Sequence, residues 1–124
     1  MTLAELQAGI QQLPEAVTAA LKGEARSSAD RIAAHARALL QSQTHGTGAT
    51  AGAIRVLDET ERKQFTVNSP GTADKPANLP MWLEYGTVFM AAKPHMRPAG
   101  EAESDRYRRN MAAAAEGAAQ KVLG

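Results

Sequence analysis

The sequence predicts an α+β fold with a long N-terminal helical arm, a small antiparallel β-sheet and a C-terminal helix. Three observations carry that expectation. Apolar residues recur at spacings of three and four in both end segments, the marker of an amphipathic helix. In the middle, Ile54, Val56, Phe65 and Val67 sit among alternating polar residues, as half-buried strands require. Glycine- and proline-rich stretches separate these regimes. With 124 residues the chain suffices for one domain, divided here into a helical arm (1–43), a β-rich core (52–99) and a C-terminal helix (98–123).

The first helix is expected to begin at a capping box, because Thr2 is followed three residues later by Glu5. Leu3, Leu6, Ile10, Leu13 and Val17 then mark one face, and Leu21, Ala25, Ala29, Ile32, Ala36 and Leu39 continue it to about Gln43. Pro14 removes one backbone donor from this run, so either a kink or a fresh start with Pro14 in the first turn is expected. Thr44 to Gly52 holds three glycines and no large apolar residue and reads as a flexible connection. The strands around Ile54–Val56 and Phe65–Val67 are expected to form a hairpin, with Asp58 to Glu61 as its solvated tip. Ser69 to Pro80, with Pro70, Gly71, Pro76 and Pro80, reads as a second long loop, a type that is often functional. The last helix is expected to place Pro98 at its first position, with Glu101 and Glu103 near its positive end. Its apolar face is Tyr107, Met111, Ala114, Ala118 and Val122.

Alanine supplies much of the 44% apolar content, and aromatics are limited to two phenylalanines, two tyrosines and one tryptophan. The monomer therefore buries a thin core, and assembly is the expected route to further burial. No cysteine is present, which excludes disulfides and thiolate zinc sites. The first fifteen residues carry no basic segment and the longest apolar runs are a few alanines, so neither a signal peptide nor a membrane span is expected. Fourteen basic and 13 acidic residues give a net charge of +1, which disfavours tight, general DNA binding.

No catalytic or metal motif emerges. His35, His45 and His95 fall in a helix, a glycine loop and a proline-flanked segment, without metal-ligand spacing. Ser27, Ser28, Ser42, Ser69 and Ser104 lack a nucleophile elbow, although members of a serine triad need not be adjacent in sequence. Glu59, Glu61 and Glu84 do not read as paired glycosidase carboxylates, and the glycine clusters do not have phosphate-loop spacing. Neither catalysis nor a cofactor is expected. Arg106, Arg108 and Arg109 form the densest basic cluster, but Glu101, Glu103 and Asp105 precede them, so intrahelical pairs such as Asp105 with Arg109 are expected there.

The most informative stretch is Leu79-Pro80-Met81-Trp82-Leu83-Glu84-Tyr85-Gly86-Thr87, followed by Lys93-Pro94-His95-Met96-Arg97-Pro98-Ala99. It concentrates the residue types that anchor interfaces. Trp82 and Tyr85 lie three apart, which also suits two core residues on one helix face. Gly86 follows an apolar turn and is expected at positive φ. Glu84 is expected to pair with Arg97, within one subunit or across a boundary. The prolines around His95, Met96 and Arg97 prescribe an extended, pre-ordered segment whose exposed Met96 or Arg97 would meet a neighbour.

The pattern W-L-E-Y-G-T, then P-H-M-R-P-A leading into a helix, resembles the neck or tail-completion proteins of long-tailed bacteriophages. Glu84, Gly86 and Thr87 match that family's Glu-Gly-Thr turn, and Pro94, Arg97, Pro98 and Ala99 match its proline-arginine segment. Gly52-Ala53-Ile54-Arg55 matches its Gly-x-aliphatic-Arg entry into the first strand. The resemblance spans about Gly52 to Ala99. His95 departs from it, since phenylalanine is more usual there, which argues against position 95 as a buried anchor. The resemblance implies a non-catalytic subunit of a homo-oligomeric ring, a hexamer in that family, at the head-tail junction of the virion. Its neighbours would be head-completion and tail-terminator or tail-tube proteins, and DNA would pass through the lumen without sequence-specific binding. The expected subunit contacts are Trp82, Glu84, Tyr85, Met90, His95, Met96 and Arg97, with the Ser69 to Asn78 loop, and Gly86, Thr87, Pro94 and Pro98 shape the turn. The alternative is a nucleic-acid-binding accessory protein using the C-terminal helix and polar loops, with a small hydrolase as a third reading.

Overall fold

The computed structural model describes residues 2–44, 48–62, 64–72, 79–88 and 90–124. Helix α1 (Leu3–Gln43) is 41 residues, about 60 Å long at 1.5 Å per residue. It starts at the expected capping box: the Glu5 N–H donates to Thr2 Oγ1 at 3.1 Å, and the Thr2 N–H donates to Glu5 Oε2 at 2.8 Å. The helix continues through Pro14 without a restart. Pro14 is on the exposed side, so the backbone acceptor it frees is open to water.

Part of the expected flexible connection is ordered. Gly48 takes a left-handed conformation at φ 81°, and Ala49–Gly52 forms a single helical turn, α2, which buries Ala51. The driving force is apolar, because Ala51 packs in the same cluster as Leu40 and Ile54. Residues 45–47, and with them His45, lie outside the described residues. Strands β1 (Arg55–Glu59) and β2 (Gln64–Asn68) form the antiparallel hairpin, with a 3-10 turn over Thr60–Arg62 at its tip. Val56 opposes Val67 and Asp58 opposes Phe65, so these residues share one face of the hairpin. The Arg37 guanidinium donates twice to the Ile54 carbonyl, at 2.6 and 3.1 Å, fixing the entry to β1 against α1.

Helix α3 (Leu79–Tyr85) and helix α4 (Met96–Leu123) complete the chain, and α4 packs along α1. The core is thin, as composition predicts: Ala29, Ala33, Ala36, Ala51 and Ala99 are buried with Leu40, Ile54 and Leu83. Small side chains let the two helix backbones come close, which offsets some of the area that alanine cannot supply. Leu40, rather than the expected Leu39, points fully inward. A polar staple crosses the helix pair: Glu103 accepts from Ser28 Oγ at 2.9 Å and from Arg31 Nε at 2.8 Å, and Arg31 also reaches Glu24 at 2.9 Å. Burial pushes the Glu103 carboxyl up, but the Arg31 and Ser28 hydrogen bonds outweigh it and hold it below the ordinary carboxylate range. Glu103 is thus not an exposed charge near a helix end, as its sequence position suggested.

At the far end α4 stops opposite Gly9, where an added Cβ would lie 3.1 Å from the Val122 carbonyl oxygen. Leu3, Leu6 and Ile10 are consequently exposed, although they head the apolar face read from sequence.

Candidate functional site

The two halves of the W-L-E-Y-G-T and P-H-M-R-P-A pattern fold into one unit, and Glu84 joins them. Its carboxylate accepts the backbone N–H groups of His95 at 2.8 Å, Met96 at 2.9 Å and Arg97 at 2.8 Å. These are the N-cap and the first two positions of α4. A helix start leaves four backbone donors without intrahelical partners. Glu84 takes three, and Pro98, at the third helical position, has no N–H to offer. The carboxylate also sits at the positive end of the α4 dipole. Burial raises the Glu84 carboxyl pKa, but the His95, Arg97 and Met96 N–H groups outweigh that and lower it overall.

Two sequence expectations are corrected by this geometry. α4 begins at Met96, two residues earlier than Pro98, because the external cap stabilises the two added residues. Glu84 does pair with residue 97, but with its backbone; the Arg97 guanidinium is largely exposed and lies 3.9 Å from Glu101.

Gly86 closes α3 as expected. It has φ 79°, and its N–H donates to the Trp82 carbonyl at 2.7 Å. An added Cβ would meet the Ala92 nitrogen at 2.8 Å and the Met90 oxygen at 3.0 Å, so the returning segment leaves no room for a side chain. Thr87 and Met90 form a two-way backbone bridge, and the Lys93 N–H returns to the Leu83 carbonyl at 2.6 Å. With its amide turned to satisfy both atoms, Gln43 donates to the Lys93 and Pro94 carbonyls, tying the end of α1 to this segment.

His95 is fully buried, which corrects the reading of it as an interface residue and of position 95 as an unsuitable anchor. Its Nε2 is 3.2 Å from Ser69 Oγ and its Nδ1 is 3.1 Å from Glu84 Oε2, although the second approach is not directed as a hydrogen bond. Sequence reading did not connect these three residues, because they come from the end of the hairpin, α3 and the lead into α4. The order serine, histidine, carboxylate is that of a nucleophilic triad. Here the imidazole is sealed from solvent, and residue 70 is a proline, so the N–H after the serine that commonly helps bind an oxyanion is missing. The trio brings three segments together around one buried ring.

Met90 and Met96 are half-buried, packed against the core, and each keeps part of its surface exposed. Of α3, Pro80 and Leu83 face inward. The opposite face leaves Met81 54%, Trp82 39%, Tyr85 75% and, just beyond it, Val88 96% exposed. Trp82 is therefore not a core residue. Of the Ser69 to Asn78 loop, residues 73–78 lie outside the described residues. In the basic cluster, Asp105 bonds Arg108 at 2.6 Å rather than the expected Arg109. Among the described residues no group of three or more histidine, cysteine or carboxylate side chains converges as a metal site, and no helix is long and apolar enough to cross a membrane.

Comparison with protein-family models, with curated proteins and with solved structures finds no match to this chain.

Proposed function

We propose that the protein is a structural subunit of a tailed phage or prophage virion, acting in the neck or tail-completion ring at the head-tail junction. The observation that carries this reading is the exposed turn of Met81, Trp82, Tyr85 and Val88 on a rigid mount built from Glu84, Gly86 and the first turn of α4. Large aromatic residues left in water on a pre-ordered element suit protein contact rather than turnover. The motif resemblance supports it, since the residues that match the phage pattern are those that form the mount. On this reading the subunits close a ring, the flanking head and tail proteins cover its two faces, and DNA crosses the lumen. The balanced charge suits passage, because a channel rich in uncompensated cations would retain DNA.

Native mass measurement and imaging of the assembled particle test the proposal. The expected result is a discrete ring at the head-tail junction. A protein that stays monomeric or dimeric, is absent from the particle and binds DNA in a salt-dependent way would reject it.

A further inference from the structure

We propose that the apolar turn of one copy seats in a cleft formed by α1, α4 and the hairpin of a second copy. This deepens the ring reading above by naming both sides of the subunit contact. The cleft has a volume of about 770 Å³ and is walled by Leu21, Ile32, Phe65, Val67, Tyr107 and Met111. That size is typical of sites that enclose several bulky apolar groups. None of Met81, Trp82, Tyr85 or Val88 lines it. One copy can therefore donate its turn and receive another's, the head-to-tail arrangement from which rings or open chains are built.

Three features select a second copy as the occupant. The first is preorganisation. Three hydrogen bonds to Glu84 and the constrained Gly86 hold the turn, so little ordering is needed when it docks. The second is charge. Arg97, beside the turn, projects a largely exposed guanidinium 3.9 Å from Glu101, and the exposed Asp58 carboxylate, bonded to the Thr60 hydroxyl at 3.2 Å, stands on the hairpin wall of the cleft. Exposed opposite charge is confined to that wall, since Lys22 lines the α1 side. The third is area. Four apolar side chains exposed to this extent present on the order of 500 Å², given ~150–250 Å² for each large side chain. The lining of the open cleft adds less than that, so the contact buries under about 1,000 Å², the size of a transient interface. A contact of that size is weak between two copies and gains strength when a ring closes or a neighbouring component templates it.

The test places a photo-reactive benzophenone amino acid at position 85 of the full chain and irradiates it in concentrated solution and in the assembled particle. It is paired with two variants: Trp82→Ser with Tyr85→Ser, which blunts the turn, and Ser104→Trp, which fills the cleft from an exposed position on its wall. Circular dichroism and thermal melting establish that both variants fold. Cross-links from position 85 should reach Phe65, Tyr107 or Met111 of a second copy and disappear in the Ser104→Trp background. Each variant alone should self-associate at least about tenfold more weakly than wild type, while mixing them should give one-to-one dimers, since one supplies a good cleft and the other a good turn. Cross-links that land on another surface, reach only a different protein, or do not form would overturn the inference, as would wild-type assembly by Ser104→Trp. A ring that persists while the cross-links land elsewhere removes this contact and leaves the ring reading intact. Turn-to-cleft cross-links in a protein that forms only open chains support the contact and reject the ring.

Discussion

Replacing Glu84 by alanine isolates the interaction that unites the two halves of the motif. It strips the partner from three backbone donors at 2.8, 2.9 and 2.8 Å, two of which are partly buried. Each partly buried donor left unpaired costs about 1 kcal/mol, and losing a charged helix cap costs about 1 kcal/mol more, so the expected destabilisation is roughly 3 kcal/mol. Glu84→Gln retains an acceptor oxygen but loses the charge and turns an amide donor toward other donors, so about half that cost is expected. Arg97→Ala should change stability by less than about 0.5 kcal/mol, because its guanidinium makes only a long, exposed approach to Glu101. Urea denaturation followed by circular dichroism, with unchanged slope across the series, gives all three values. An Arg97→Ala loss equal to that of Glu84→Ala would refute the backbone-cap argument and restore a side-chain pair. A Glu84→Ala loss below about 0.5 kcal/mol would refute both.

Gly86→Ala should destabilise by about 2–3 kcal/mol, combining left-handed backbone strain with a Cβ placed 2.8 Å from a backbone nitrogen; a neutral result in the same assay would contradict the observed turn. Arg31→Ala should cost about 2–3 kcal/mol by stranding the buried Glu103 carboxylate, and pairing it with Glu103→Leu should recover part of that loss; strictly additive losses in the double-mutant cycle would reject the staple. Folding lowers the carboxyl pKa of Glu24, through Arg31 and Asn110, and those of Glu84 and Glu103. In acid the unfolded chain therefore binds more protons than the folded one. This contribution to stability is complete above the ordinary carboxylate pKa of about 4.3 and is lost as pH falls through the lowered folded-state values. Urea midpoints should fall across that acid window, and less steeply in Glu84→Gln; a profile identical to wild type in that variant would refute the assignment.

The elements whose physics is local were legible in the sequence. Thr2 and Glu5 lie within one helical turn, the hairpin strands alternate with period two, and Gly86 stands where an apolar turn must reverse. What escaped depends on distant partners. Glu84 caps donors 11 to 13 residues away, and Ser28 and Glu103 meet across a separation of 75. Nothing near α4 marks such a cap except Pro98, whose missing N–H leaves three donors for one carboxylate. Trp82 was left between a core and a contact position for a different reason. Pro80 with Leu83, and Trp82 with Tyr85, are both spaced by three, so periodicity alone does not tell which face of α3 turns inward. His95 was undervalued because a polar ring is a poor core residue until it finds a partner, here the Ser69 hydroxyl at its Nε2.

The mount explains how a chain with so thin a core can hold an aromatic surface in place. Moving α3 away from α4 would break three charge-assisted hydrogen bonds together and expose the buried His95 ring, so the turn is coupled to the stability of α4 rather than free to fray. α4 is in turn held to α1 by close alanine packing and by the Glu103 staple. A force applied at Trp82 or Tyr85 is therefore borne by the two long helices. Alanine suits those helices for the same reason that it makes a poor core: it permits close backbone approach and costs no side-chain entropy on packing. The large apolar side chains left over need not serve the fold, and four of them are displayed at the turn. In the proposed assembly these exposed groups are what meets the next surface.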